Sequence, residues 1–253
     1  MQPSNFAIKH PYSFTALMVV SIIAVYLASG TAAAILKLPT SGLYLIANLA
    51  LAVLGAGLLT RLRCWKEAGF RAFAVGRDLR LYWLPFIPVL VNLSFGIAQM
   101  SFGQVAFYFV VAGLVGFVEE VFFRGLILRA IAPRGLWRAV IISAIAFGLL
   151  HSMNLLAGSN PLDTLLQLGY TLAIGFGFAA VTLRTRVLWP LVIIHALIDF
   201  ASFLANGGMG SRSVTTVDMV ISAIWIVAFT TYGVFMMQAL RGPRLQAAQA
   251  LAA

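Results

Sequence analysis

The chain has 253 residues, of which 62% are hydrophobic and 9% charged, with a formal net charge of +10. A soluble domain is nearer half apolar and about a quarter charged, so a water-soluble globular enzyme is excluded, and so is a disordered chain, which needs the opposite composition. The lone cysteine, Cys64, excludes an intrachain disulfide and a thiolate metal cage.

Uncharged runs near 20 residues mark transmembrane helices, and at roughly 30 residues per span with its loop the length accommodates about eight. The first run is 11–36 and the second 41–60, closed by Arg61. The stretch 81–118 has no charge and is too long for one span; the break Ser101-Phe102-Gly103-Gln104 divides it into spans near 81–100 and 104–131. Spans five to eight run over 139–157, 164–183, 187–206 and 219–240. The fold expected is an all-α polytopic membrane bundle of about eight helices, a single membrane domain over 1–253. Lys9 ahead of an apolar run, with Ala32-Ala33-Ala34 after it, imitates a signal peptide; the run is long for one, and we read it as a retained span.

The basic residues sort to one side of this arrangement. Lys9, the group Arg61, Arg63, Lys66, Arg71, Arg77 and Arg80, then Arg129, Arg134, Arg138, Arg184, Arg186, Arg241 and Arg244 fall on one face, leaving Lys37 and Arg212 on the other. The positive-inside rule therefore places both termini in the cytoplasm of a cell (inner) membrane, and the charge becomes a collar against an anionic leaflet rather than a nucleic-acid footprint. Trp65, Phe70 and Phe73 alternate with basic residues in the 61–80 loop, which predicts an amphipathic helix lying on that leaflet. Gly113, Gly116, Gly169, Gly175 and Gly177 are read as helix-packing positions. There is no internal repeat to suggest an inverted-repeat transporter.

Several ionisable residues lie where the bilayer penalises them. Of the seven acidic residues, Glu119, Glu120 and Asp199 fall well inside predicted spans, together with His151, His195 and Arg124. Each carboxylate at a helix centre costs about 2.5–3.5 kcal/mol on insertion scales, which makes such a set a functional site by default. Depth supports convergence. At 1.5 Å per residue, Glu119 lies about 22 Å past Gln104, His195 about 14 Å in from Arg186, and His151 about 20 Å in from Arg138. All three depths fall within the middle of a core about 30 Å thick.

Helical spacing suggests roles. Glu120 and Arg124 stand at i and i+4 in the favourable order, so that Arg124 neutralises Glu120. Glu119 is turned about 100° away and is the carboxylate free to face a cavity. His195 with Asp199, and Phe147 with His151, share the same i, i+4 spacing. Singly, these could be a structural ion pair, an interfacial histidine or an interhelical clasp. Together, two histidines and carboxylates at one depth suit metal or water-activating chemistry.

At these residues the sequence resembles the CPBP family: type II CAAX prenyl endopeptidases and bacterial bacteriocin-processing or immunity proteins. Glu119-Glu120-Val121-Phe122-Phe123-Arg124 resembles its E-E-x-x-x-R motif, Phe147-Gly148-Leu149-Leu150-His151 its F-x-x-x-H motif, and His195-Ala196-Leu197-Ile198-Asp199 its H-x-x-x-N/D motif. The resemblance covers about residues 104–206. It implies an intramembrane endopeptidase, cutting near the cytoplasmic membrane face, in which Glu119 and His151 activate water and Glu120 and Arg124 fix the motif helix. It further implies that His195 and Asp199 either help bind a metal or stabilise the oxyanion. An ionised Asp repels an oxyanion to which the family's Asn would donate. That contrast tilts the reading toward a Zn²⁺ set of Glu119, His151, His195 and Asp199. The partner expected is a membrane-associated peptide or protein substrate, of CAAX type or a peptide precursor. The alternatives are a proton- or cation-coupled transporter, since chains of intramembrane Glu, His and Asp also relay protons, and a non-catalytic membrane scaffold.

Overall fold

The computed structural model describes residues 7, 9–72, 78–156, 158–209 and 214–241. Phe73, Arg77, Arg212 and Arg244, and the side chain of Arg241, lie outside the described residues. Among the described residues the chain is helix and turn without strand.

Two long helices open the bundle, α1 (Pro11–Ile35), with proline at its first position, and α2 (Thr40–Arg61). A 3₁₀ turn at Leu79–Tyr82 leads into the short α3 (Trp83–Ser94). Then α4 (Phe102–Glu119) runs into a π-helical segment, Glu120–Ile127, and the single turn α5 (Leu128–Ile131). Next, α6 (Leu136–Leu150) ends in a 3₁₀ turn, His151–Leu155. The bundle closes with α7 (Pro161–Thr185), α8 (Trp189–Asn206) and α9 (Thr216–Gln238). Among the described residues, seven helical stretches are long and apolar enough to cross a membrane, and Leu79–Ser94 is a shorter apolar one.

Local chemistry sets the helix ends. The Ser101–Gln104 break is the start of α4, a capping box in which the Ser101 hydroxyl accepts from the Gln104 backbone and the Gln104 side chain accepts in return from Ser101 N–H. Thr215 and Asp218 build the same device at the start of α9. Asn160 caps α7 ahead of Pro161.

Two expectations are corrected here. The third span, predicted over 81–100, stops at Ser94. Gly96 adopts a left-handed φ of 94°, and the chain then runs irregularly to Ser101. This half-span is tied to α8 instead: Asn92 Nδ2 donates to Ile198 O, and Ala98 N–H to Leu204 O at 2.9 Å. The amphipathic helix expected at 61–80 is absent from 62–72, which is a series of turns, and 79–80 begin the 3₁₀ turn ahead of α3. Gly69, at a φ of 100°, presses its backbone against the α7–α8 turn, and Leu188 N–H donates to Gly69 O at 2.9 Å. A Cβ there would stand 2.8 Å from Leu188 N, so the loop is fastened to the α7–α8 turn.

Within the bundle α7 packs on α9 and α6, α8 on α4 and α3, and α2 on α1 and α4. Backbone meets backbone between α4 and α8, where a Cβ on Gly116 would stand 2.7 Å from Ala196 N and 2.8 Å from Val192 O. Gly113, one turn earlier, faces open space and so is not a packing position. The two glycines therefore give opposite expectations. Gly116→Ala must push two backbones apart and should lower stability by about 1–3 kcal/mol, whereas Gly113→Ala should be neutral or stabilise by up to about 1 kcal/mol through helix propensity. Thermal unfolding of the two variants in detergent checks both.

Candidate active site

The seam at Gly116 sets the distance between the end of α4 and the middle of α8, and the first two motif carboxylates stand at that end. The backbone over Glu120–Ile127 winds as a π-helix, in which Leu128 N–H donates to Phe123 O. That carbonyl also accepts from the buried Ser143 hydroxyl of α6 at 2.9 Å, a bond that holds the wider turn in place from outside. π segments are rare and concentrate at functional sites. Glu119 and Glu120, at the start of this one, reach different atoms of one neighbour.

That neighbour is His195. Its Nδ1–H donates to Glu120 Oε1 at 2.9 Å, and its Nε2 lies 3.4 Å from Glu119 Oε2 and 3.8 Å from Asp199 Oδ2. Glu120 Oε1 also accepts from Arg124 Nη1 at 2.8 Å, and both side chains of this pair are 0% exposed. One carboxylate oxygen thus serves the arginine of its own helix and the histidine of another. The i, i+4 pair predicted from spacing is present, but Glu120 does more than neutralise Arg124.

Aromatic rings complete the burial. Arg124 Cζ stands 4.2 Å from the centre of the Phe147 ring and 5.5 Å from that of Phe178. These cation–π contacts accompany two guanidinium nitrogens, Nε and Nη2, that have no hydrogen-bond partner among the described residues. Phe147 also packs edge-on against His151 at 5.0 Å, His195 at 5.9 Å and Phe123 at 5.2 Å. A single ring therefore spaces the arginine and both histidines. His151 sits where α6 gives way to the 3₁₀ turn, and its Nδ1 contacts Phe147 O at 3.0 Å. A carbonyl oxygen can only accept, so Nδ1 carries the proton, and in the neutral ring Nε2 is the free acceptor.

Glu119, His151, His195 and Asp199 all line one cavity of about 920 Å³, whereas Glu120 and Arg124 stand behind its wall. Side-chain exposure follows the same division, at 20% for Glu119 and 25% for Asp199 against 0% for the pair behind. Sequence reasoning missed the neutral polar residues of the cavity. Asn48 Nδ2 donates to Tyr26 OH and to Tyr44 O. Tyr44 OH donates to Asn154 Oδ1, and Asn154 Nδ2 to Gln167 Oε1. This chain links α1, α2, the 3₁₀ turn and α7 around the cavity. Its signal in the sequence is uncharged polar residues inside apolar runs, which are too common to single out.

Two imidazoles and carboxylates are donors that suit Zn²⁺. Among the described residues, however, no group of three or more His, Cys, Asp or Glu side chains is arranged to hold one ion. The donors fit in kind and not in arrangement.

Residues 101–201 match the family model of type II CAAX prenyl endopeptidase Rce1-like. The matched segment contains all three motifs and supports the CPBP family of intramembrane proteases for this chain. With seven candidate spans among the described residues, the chain is a multi-pass membrane protein, and the family whose model it matches is one of proteases. No curated protein and no solved structure matches it significantly.

The shared oxygen of Glu120 yields a stability prediction. Glu120→Gln leaves a buried guanidinium without its anion and should cost about 3–5 kcal/mol. Adding Arg124→Met to it removes the uncompensated charge and should recover part of that loss, as read by unfolding midpoints of the single and double variants.

Proposed function

We propose that this chain is an intramembrane endopeptidase in which Glu119 is the general base and His195 the electrophilic group, acting on a peptide bond held in the cavity. The observation that supports this reading best is the convergence of Glu119, Glu120 and Asp199 on the two ring nitrogens of one histidine. The membrane is the cell membrane, with both termini in the cytoplasm, as the arginine asymmetry argues. The substrate is a membrane-associated peptide or protein, processed in CAAX fashion or as a peptide precursor.

The residues divide the chemistry among them. Glu119 accepts a proton from water as its oxygen attacks the carbonyl carbon, and the bare Nε2 of His151 accepts a hydrogen bond from the same water. His195, whose Nδ1–H is spent on Glu120, turns Nε2–H toward the oxyanion that forms; Asp199, 3.8 Å away, favours the proton staying on Nε2. The C–N bond then breaks, and Glu119 returns its proton to the leaving amine. Glu120 and Arg124 touch no reacting atom and are positioning residues for His195. A transporter would need a path through the protein, and the π segment below the cavity, from Val121 to Leu128, is packed to 5% exposure or less at every apolar side chain.

Three measurements test this. Glu119→Gln keeps volume and removes the base, so turnover should fall by about 10²–10⁴-fold with the unfolding midpoint kept; wild-type turnover by that variant would sink the role given to Glu119. Asp199→Asn removes the charge beside His195 Nε2 and should also lose activity, whereas an active Asn variant would make residue 199 itself the oxyanion donor. Treatment with a strong chelator and re-addition of Zn²⁺ separates two routes: turnover that survives fits the route written here, and turnover lost and then restored by Zn²⁺ adds an ion to the same residues.

A further inference from the structure

Two side-chain amides stand in the cavity wall beyond His151, and only one of their N–H bonds is taken. Asn154 Oδ1 accepts from Tyr44 OH at 3.1 Å, and Asn154 Nδ2 donates to Gln167 Oε1 at 2.8 Å. Gln167 therefore gives its carbonyl end to Asn154 and keeps its nitrogen free. Both residues are half-buried and line the cavity. Gln167 Nε2 meets no acceptor among the described residues and is not one of the sealed orphan atoms, so it is reached from the cavity. The second Nδ2–H of Asn154 has no acceptor among them either. Amide donors in an apolar surround cost free energy until each meets an acceptor.

Position relates this pair to the chemistry. Asn154 follows His151 by three residues in one 3₁₀ turn. In such a turn side chains at i and i+3 eclipse, about 6 Å apart along the axis. The antiparallel register of α6 and α7 agrees. A Cβ on Gly148 would meet Leu172, and Asn154 meets Gln167, so the level of His151 falls near Tyr170, one turn from Gln167. An extended peptide advances about 3.3 Å per residue. With its scissile bond beside His151 and Glu119, it brings a carbonyl about two residues away to the amide pair. Every peptide carries that acceptor, so a contact here sets register along the chain and not side-chain preference.

We propose that Gln167 and Asn154 form a subsite that binds a main-chain carbonyl of the substrate about two residues from the cut and so aligns the scissile bond with His151 and Glu119. The proposal rests on the endopeptidase reading for the existence of a cut; the binding itself is measured without turnover.

The probe is a set of synthetic decapeptides of Ala, Leu, Val and Phe, each flanked by two lysines for solubility. They are titrated into detergent-solubilised Glu119→Gln protein, which holds a peptide without cutting it. Each main-chain carbonyl of the tightest binder is then replaced in turn by a thiocarbonyl, a poorer acceptor. One position should lose affinity by about three- to tenfold, and the wild-type protein should cut the parent peptide about two residues from it. Adding Gln167→Met should weaken the parent peptide by a similar factor and erase the penalty at that position. Tyr44→Phe breaks the same chain of hydrogen bonds but leaves the Gln167 donors in place, so it should keep the penalty. If the bonds only fasten α2 to α7, the two variants behave alike. A flat scan, a penalty unchanged by Gln167→Met, a penalty lost equally in both variants, or no binding by any decapeptide overturns the proposal. The scan needs only the Glu119→Gln protein, so it decides the matter even if Gln167→Met fails to fold. A sensitive position in a peptide that the wild type leaves intact defeats the endopeptidase reading and keeps the subsite; cutting with a flat scan does the reverse.

Discussion

A single carboxylate oxygen, Oε1 of Glu120, holds the site together. It accepts from Arg124 at 2.8 Å and from His195 Nδ1 at 2.9 Å, in a place from which solvent is shut out. Desolvating three such groups is costly unless each finds a partner. The arginine balances the carboxylate, and the carboxylate holds the Nδ1–H of His195 so that Nε2 faces the cavity. Orientation of a reactive imidazole through its far nitrogen is the same device by which metal-bound histidines are held. Everything on the cavity side, including the approach of Glu119 and Asp199 to Nε2, depends on that ring being unable to turn.

The backbone is shaped to permit this one contact. Gly116 lets α4 touch the main chain of α8, which brings residue 120 within reach of residue 195. The π segment begins at Glu120, and the Ser143 hydroxyl of α6 donates to its Phe123 carbonyl beside Leu128 N–H. Phe147 then fixes the spacing of three functional side chains, and a Cβ on Gly175 of α7 would stand 2.9 Å from that ring. Four elements, α4 with its π extension, α6, α7 and α8, thus determine the position of a handful of polar atoms.

Much of this was legible in the sequence, for a physical reason. A bilayer penalises charge so strongly that Glu119, Glu120, His151, His195 and Asp199 identify themselves by being inside apolar runs at all. Spacing then paired Glu120 with Arg124 correctly. It did not show that Glu119 and Glu120 both reach His195, or that Glu120–Ile127 winds as a π-helix. It also failed at α3, where an uncharged run read as a full span stops at Ser94 because of the backbone of Gly96 and the bonds that fasten the next residues to α8. The loop at 62–72 alternates aromatic and basic residues as a surface helix would, yet its Gly69 is shaped by contact with Leu188, a residue more than a hundred positions away. Period and composition report local preference and depth. They do not report which helix comes to lie beside which.

The distribution of charge adds a constraint that no single span contains. The same chain that gathers its arginines at one end places Glu119 and Asp199 in a cavity above a closed floor, the π segment from Val121 to Leu128. The basic end is then free to serve as a collar for an anionic leaflet, since no reacting group lies exposed there. For a hydrolase at this depth, the division has a chemical use. Water and a peptide must both reach Glu119, and a cavity lined with polar groups admits them without opening a route through the sealed floor.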